Sequence, residues 1–202
     1  MQPSHDQFVE NLKRARDLAS LAGNLSAQTT GALDLSDLFR ASLVLAVSAL
    51  DHFVHELSRK GMLEIAAGTR PSTDAFGRFS ISMTTATTLL NGPGVYAALE
   101  DEIREKHGYL SFQDPEKIAD ALRLITAKEV WKEAGKHLRL TNKAAKARLK
   151  LIVERRNQIA HEADMDPTAP GVRWPIDFPL VTDAIDALEQ IGEALFLVVT
   201  KP

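Results

Sequence analysis

Cysteine is missing from the chain of 202 residues. Its absence excludes disulfide bonds and any metal site built on thiolate ligands. A chain without cysteine has no need of an oxidising compartment, so we expect a cytoplasmic protein.

Aromatic residues and excess charge are also scarce. Phe, Trp and Tyr together make up 6% of the residues, and the formal net charge is −3. Few aromatic side chains argue against a platform on which splayed bases are read. A slightly negative chain has no general attraction for nucleic acid, which leaves only a local basic patch for such binding.

Long hydrophobic runs are the third feature that the sequence lacks. The N-terminal segment MQPSHDQFVENLKRARDLAS contains no apolar stretch of the kind found in secretory signals. The longest apolar runs resemble ALFLVV, whereas a membrane-spanning helix needs about 20 predominantly apolar residues. We therefore expect no secretory signal and no membrane association.

Apolar residues that repeat at helical spacing dominate the remaining pattern. They predict an all-α fold, most simply a helical bundle in one domain over residues 1–202, with a long irregular loop before the last helix. The expected helices cover residues 5–22, 37–60, 95–107, 115–125 and 127–138, a segment beginning at Thr141, and 180–200.

Caps and breaks set the expected boundaries. Ser4 and Ser36 are predicted to cap the first two helices, and Gly23 and Gly61 to end them. Residues 24–35 and 66–80 are expected to be irregular. The threonine-rich SISMTTATTLL is ambiguous between helix and strand, and NGPG at 91–94 predicts a break.

The segment LIVERRNQIAHEAD, residues 151–164, contains the most unusual combination of side chains. At about 100° per residue, Arg156 falls about 20° from Leu149, in the middle of an apolar stripe. Asn157 and His161 are one turn apart and therefore neighbours. Arg156 and His161, however, point about 140° apart on a straight helix.

Each of these residues has a structural and a functional interpretation. Arg156 either forms an internal ion pair or reaches water with its tip, or it faces a cleft that binds an anion such as phosphate. His161 either complements the charge at the helix C-terminus or transfers protons near neutral pH. The functional interpretations of Arg156 and His161, with Asn157 as their polar neighbour, together fit metal-independent phosphodiester cleavage.

Other candidates lie outside the motif. Asp51 and His55, one turn apart, either support their helix or assist the site, with Asp51 pairing Arg156. The densest basic segment, residues 140–156, is either a solvated face or a guide for an RNA backbone. No metal site is expected, because His52 and His55 lack further ligands at a recognisable spacing.

The motif RRNQIAH resembles the R-x4-6-H motif of the HEPN superfamily. The surrounding sequence is similar to the RiboL-PSP type of HEPN domain over most of the chain from about residue 36. The similar stretches are LVLAVSALDHFVHEL, YLSFQDPEKIADAL, VWKEAGKHL, RRNQIAHEAD and VRWPIDFPLVTDAIDALEQIGEAL.

The resemblance implies a HEPN-like helical bundle that forms a homodimer, with two motif copies facing each other in one composite cleft. Many such domains are metal-independent endoribonucleases of toxin–antitoxin, phage-defence or RNA-processing systems, and some have a protein antitoxin. They use the ribose 2′-hydroxyl as nucleophile and need no cofactor. Arg156 and His161 would then be the catalytic pair, and Asn157 would orient the histidine or the RNA.

The resemblance also suggests supporting positions and leaves an alternative. Arg155 is a secondary candidate for phosphate binding, and Lys150 and Arg148 belong to the basic segment that leads to the motif. The alternative is a non-catalytic HEPN dimer that binds RNA or a protein. The angle between Arg156 and His161 requires either that the helix ends or bends near Ala160, or that two subunits complete each other's sites.

Overall fold

The computed structural model describes residues 1–29, 33–91 and 95–201, and within them the chain forms nine helices and no strand. The predicted all-α bundle is confirmed. The helices are α1 (Gln2–Gln28), α2 (Ser36–Ala66), α3 (Asp74–Gly77), α4 (Met83–Asn91), α5 (Val95–His107), α6 (Pro115–Arg123), α7 (Val130–Leu138), α8 (Asn142–Glu162) and α9 (Phe178–Thr200).

Helix α2 occupies the centre of the bundle. It packs against five other helices, α1, α5, α6, α8 and α9. By length and composition α2 resembles a membrane span, but more than half of its most apolar stretch is buried inside the protein. Its position in the core therefore accounts for its apolar character.

The tightest packing joins α1, α2 and α9. The rings of Phe8 and Phe53 stack with centroids 4.5 Å apart, and both side chains are buried. Gly192 on α9 lies directly against Phe8, at a position where a Cβ atom would overlap the ring. These contacts hold α9 close to α1 and fix the frame on which α8 rests.

Several predicted helix boundaries are wrong. Helix α1 already begins at Gln2, so Ser4 lies inside it and is buried, and the helix continues past Gly23 to Gln28. Helix α2 begins at Ser36 itself, with Leu35 in the cap position. It passes through Gly61, where the missing side chain leaves room for Ile125.

The segment between α2 and α6 is more helical than expected. Residues 74–77 form a short helix inside the stretch predicted to be irregular. The ambiguous threonine-rich segment is the helix α4, which pairs with α5. Of the predicted break at 91–94, residues 92–94 lie outside the described residues.

Side-chain caps hold the starts of α6 and α8, which lie where the sequence predicted helices to begin. The Asp114 carboxylate accepts from the Glu116 amide at 2.8 Å, and the Thr141 hydroxyl accepts from the Ala144 amide at 3.1 Å. Helix α7 begins three residues later than expected, at Val130, and its Trp131 is buried. Leu138, at its C-terminal end, is only partly covered.

A long irregular loop separates α8 from α9, as predicted. It contains one isolated antiparallel bridge between Met165 and Arg173. The loop ends where Asp177 caps α9 by accepting from the Leu180 amide at 2.9 Å. The loop folds back beside the C-terminal end of α8, which is the part of the helix that carries the motif.

Candidate active-site cleft

A cleft of about 400 Å³ opens between the last turns of α8 and the segment that leads into α6. Helix α8 contributes Val153 and the three residues that the sequence singled out, Arg156, Asn157 and His161. The structure therefore brings the three motif side chains to one cleft of a single chain. The opposite wall consists of Ser111, Gln113, Asp114 and Lys117.

Arg156 is half-buried at the bottom of this cleft. Burial lowers the pKa of its guanidinium, and the negative charge of nearby Asp51 opposes that effect. Its Nε atom is buried and has no hydrogen-bond acceptor among the described residues. No carboxylate in the described ranges forms an ion pair with Arg156, so the internal ion pair considered from the sequence is absent there.

Asn157 and His161 lie on the exposed side of the same two helical turns. Helix α8 continues without interruption to Glu162, two residues beyond Ala160, so between Arg156 and His161 it neither ends nor bends. The backbone first reverses at Ala163 and Asp164, whose φ angles are 51° and 59°. The cleft is wide enough that Arg156 and His161 both line it despite their divergent directions.

Asp51 on α2 positions the wall opposite the motif. Its carboxylate accepts from the Phe112 amide at 2.6 Å and from the Gln113 side-chain amide at 2.9 Å. The Nε2 atom of His55 lies 3.7 Å from the same carboxylate. Asp51 therefore connects the central helix to the cleft wall and acts on Arg156 through its charge rather than through a hydrogen bond.

Two histidines lie beneath this wall. The His55 ring packs on the Phe112 ring with centroids 4.3 Å apart, and the buried His107 ring lies 6.4 Å from that of His55. Burial lowers the pKa of His107 to about 4, and the pKa of His55 is also lowered by burial, with Asp51 opposing. Both rings are therefore neutral at pH 7 and act as packing groups for the wall.

A buried ionic cluster fixes the C-terminal end of α8. The Asp164 carboxylate is fully buried and accepts from Arg40 Nε at 2.7 Å and from Arg155 Nη2 at 2.9 Å. Both guanidinium groups also donate to the Trp174 carbonyl oxygen. The cluster therefore ties α2, α8 and the following loop together three residues beyond His161.

This cluster changes the interpretation of Arg155. The sequence made it a candidate for phosphate binding, but its guanidinium is committed to Asp164 and to the carbonyl oxygens of Trp174 and Pro175. Burial lowers its pKa, and the Asp164 charge opposes that effect. The contacts of Arg155 are those of a structural residue that holds the motif helix in place.

The two remaining basic candidates lie on different faces of α8. The Arg148 guanidinium donates to Gln190 on α9 at 2.9 Å, which directs it away from the cleft. Lys150 is exposed, with its ammonium 3.9 Å from Glu154. At 100° per residue Lys150 lies within about 20° of the direction of Asn157, whereas Arg148 lies on the opposite side. The placement of Arg148 therefore argues against the predicted contact with RNA at the motif.

Sequence reasoning missed several residues that build the site. Gln113, Asp114 and Lys117 line the cleft, and Arg40 and Asp164 anchor its helix. The sequence did give a signal for Arg40, because this charged residue follows Phe39 within a predicted helix of mostly apolar residues. In the structure Arg40 is 5% exposed. The others are ordinary polar residues whose position depends on tertiary contacts.

Within residues 1–29, 33–91 and 95–201, no group of three or more acidic or histidine side chains could hold a metal ion.

Comparison with known proteins places the chain in a family. The comparisons with curated proteins and with solved structures give no significant match. The family model of RiboL-PSP-HEPN matches residues 9–201, a range that includes the motif, both walls of the cleft and the anchoring cluster. The chain therefore belongs to the RiboL-PSP-HEPN family.

Proposed function

We propose that this protein is a metal-independent endoribonuclease that works at the cleft of Arg156, Asn157 and His161. The observation that carries the proposal is Arg156. Its charge is half-buried, it forms no ion pair with a described carboxylate, and it faces an open cleft next to a histidine. A guanidinium in that setting is suited to bind a phosphodiester, whose oxygens supply the missing acceptors.

The proposed reaction is attack of a ribose 2′-oxygen on the adjacent phosphorus. The new bond joins the 2′-oxygen to phosphorus, and the bond from phosphorus to the 5′-oxygen of the next nucleotide breaks. One imidazole removes the 2′-hydroxyl proton, and a second proton goes to the departing 5′-oxygen. Arg156 stabilises the negative charge that builds on the phosphoryl oxygens, and Asn157 orients the phosphate or the imidazole.

The proton balance favours a site shared by two copies of the chain. The reaction needs one group that accepts a proton and one that donates a proton, whereas one cleft contains a single histidine, His161. A two-fold axis beside the C-terminal half of α8 would bring two His161 side chains and two Arg156 side chains together. We therefore propose a homodimer in which both chains contribute to the reaction.

An apolar groove of about 460 Å³ beside the motif suits this arrangement. It lies between α2 and the end of α8, and its lining includes Val44, Leu45, Ile159 and Ala163. Leu45 is 48% exposed, and Ala160 and Ala163 are exposed next to Arg156 on the motif helix. Burying these side chains against a second copy of the chain would stabilise a dimer through the hydrophobic effect. The contact would lie beside the motif, where the partner chain is proposed to contribute to the reaction.

Cleavage of single-stranded RNA by the purified protein in EDTA tests the proposal. We expect His161→Ala and Arg156→Ala to lower the cleavage rate by at least about 100-fold, the size of effect typical of a general acid–base or an electrostatic contributor. His137→Ala and Arg148→Ala are matched controls, because both residues lie outside the cleft, His137 is exposed and the Arg148 guanidinium is directed to Gln190. Equal cleavage by a folded His161→Ala protein would reject the proposed role.

The second candidate function is a non-catalytic dimer that binds RNA or a protein. One observation favours it: within the described part of the chain, no side chain forms a hydrogen bond that orients the His161 ring. A catalytic base is commonly held by such a partner. This candidate predicts binding without cleavage products under all conditions of the same assay.

The proposed activity also has a proposed setting. An endoribonuclease of this family would act in the cytoplasm in toxin–antitoxin, phage-defence or RNA-processing roles, with RNA as its substrate. A protein antitoxin is the further partner proposed for the toxin role.

A further inference from the structure

A second groove, of about 550 Å³, lies on the same side of α8 as the motif cleft. It is bordered by α6, by α7, by the beginning of α8 and by the segment around α3. We call it the basic groove, because five cationic side chains line it: Arg78, Arg123, Lys128, Lys132 and Lys146.

An ion pair between α6 and α8 lies where the basic groove and the motif cleft adjoin. Lys146 on α8 and Glu116 on α6 are 2.8 Å apart, and both residues line the basic groove. Asp114 and Lys117, the neighbours of Glu116 at the start of α6, line the motif cleft. The two depressions therefore adjoin at the start of α6, and we refer to the surface that runs from one to the other along α8 as the channel.

The lysines of α8 follow this channel. With Arg156 as the reference direction and 100° per residue, Lys143, Lys146 and Lys150 lie at about 80–140°. Asn157 and His161 lie at about 100° and 140°, in the same sector. From Lys146 to Asn157 the rise along the helix is about 16 Å, or roughly five nucleotide steps at the stacked spacing of a single strand.

The opposite face of α8 provides no such path. Arg148 and Arg155 lie at about −80° and −100°, and both are engaged in contacts with α9 or with the buried cluster. The arginines of this face are therefore committed to contacts within the protein, which leaves Lys143, Lys146 and Lys150 of α8 on the side of the channel.

Partners within the protein weaken the positive charge of the groove: Arg123, Lys132 and Lys146 pair with carboxylates, and Lys128 donates to the carbonyl oxygens of Val198 and Lys201. Asp74, Glu116 and Glu129 line the groove beside the five cationic residues. Lys132 and Lys146 each pair with one of these acids through an exposed contact at 2.8 Å, a type of pair that contributes little energy and exchanges readily for a phosphate. Arg78 is exposed and forms no ion pair with the described residues.

Resting on the proposed function, we propose that the basic groove is a second binding subsite for the RNA backbone. In this arrangement a single strand crosses the molecule along α8, with its scissile phosphate at Arg156 and its neighbouring phosphates at Lys150, Lys146 and the groove. The substrate class is single-stranded RNA that extends beyond the cleavage site on one side. Binding through phosphates, with few aromatic side chains nearby, makes the subsite tolerant of sequence.

The test uses full-length protein with His161→Ala, so that bound RNA is not consumed. The groove variant adds Lys132→Gln and Lys146→Gln. The control variant adds Lys136→Gln and Arg148→Gln, which lie on the same two helices outside the groove. Each variant loses two positive charges, so the net charge is matched. Lys132 and Lys136 are also matched in their surroundings, because they are 63% and 64% exposed and each pairs with a glutamate three residues earlier.

Binding is measured for two labelled RNAs at several salt concentrations: a short one that fills only the motif cleft, and one longer by about five nucleotides. We expect the longer RNA to bind more tightly to the parent protein and to lose that advantage in the groove variant alone. The slope of log K against log salt should decrease by about 1.4 for two lost phosphate contacts.

The outcomes separate the groove from the motif. If the groove variant keeps both the length advantage and the full salt slope, the groove does not bind RNA, although the motif still does. If the parent protein binds neither RNA, both the subsite and the proposed RNA substrate are rejected. If the control variant loses affinity equally, the effect is one of net charge and the subsite is also rejected.

Discussion

Replacing Asp164 by Asn should destabilise the protein strongly, because Asp164 is the shared counter-ion of two arginines. The substitution keeps the shape of the side chain but leaves the guanidinium groups of Arg40 and Arg155 without a buried negative charge. Arg40 is 5% exposed and Asp164 is fully buried, so water cannot replace the lost charge.

The expected loss follows from the contacts. Two hydrogen bonds between charged groups, at 2.7 and 2.9 Å, are affected. Breaking a buried ion pair by changing one partner costs about 3–5 kcal/mol, and two charged hydrogen bonds at about 1.5–3 kcal/mol each give a similar figure. At an m-value of about 2 kcal/mol/M, the urea midpoint should fall by about 1.5–2.5 M.

The matched control is Asp186→Asn. Asp186 also accepts a hydrogen bond from an arginine, Arg16, at 2.7 Å, but its side chain is 55% exposed and Arg16 keeps its second partner Glu189. We expect a loss below about 1 kcal/mol there. Urea unfolding of both variants gives the comparison. A loss below about 1 kcal/mol for Asp164→Asn would refute the view that the ionic cluster anchors α8.

Three further predictions follow from the same contacts. The native protein protonates His107 only near pH 4 while the unfolded chain protonates it near 6.5, so unfolding free energy should fall as pH drops through this window. The loss over the whole window is at most about 3.4 kcal/mol, and His55 acts in the same direction. Urea unfolding at pH 7 and pH 5 should show a smaller difference in stability for His107→Phe than for the wild type. Gly192→Ala should destabilise the bundle by about 1–3 kcal/mol, measured by thermal unfolding, because the new methyl group would overlap the Phe8 ring; an unchanged melting temperature would contradict the close packing of α1 and α9. Asp51→Asn should weaken two bonds to the cleft wall and lower RNA cleavage at least about tenfold, whereas an unchanged rate would show that the wall needs no such support.

The helices were predictable where one side of a helix is buried along its whole length. The stripe that includes Phe39, Leu50 and Leu57 indicated α2, because a central helix must present apolar side chains at every turn. The helix ends expected at Gly23 and Gly61 were wrong, whereas the end expected at residue 107, before Gly108, is confirmed. Gly23 and Gly61 lie inside helices because tertiary contacts, such as that of Gly61 with Ile125, outweigh their local preference.

Half of the candidate site was visible in the sequence because it is local. Arg156, Asn157 and His161 lie within six residues, so helical geometry alone relates their directions. The opposite wall comes from residues about 40 positions earlier, and the bond between Arg40 and Asp164 joins residues 124 positions apart. No local sequence pattern predicts such pairs. For the same reason the sequence made Arg155 a candidate phosphate ligand, whereas in the structure its guanidinium binds Asp164.

The chemical identity of the RNA ends tests the central claim most directly. The wild-type protein, incubated with single-stranded RNA in EDTA, should release fragments with a 2′,3′-cyclic phosphate at one end and a 5′-hydroxyl at the other. These fragments should disappear with His161→Ala and persist with His137→Ala, both proteins having the melting temperature of the wild type. Fragments with 3′-hydroxyl and 5′-phosphate ends, or cyclic ends that persist in His161→Ala, would contradict the account.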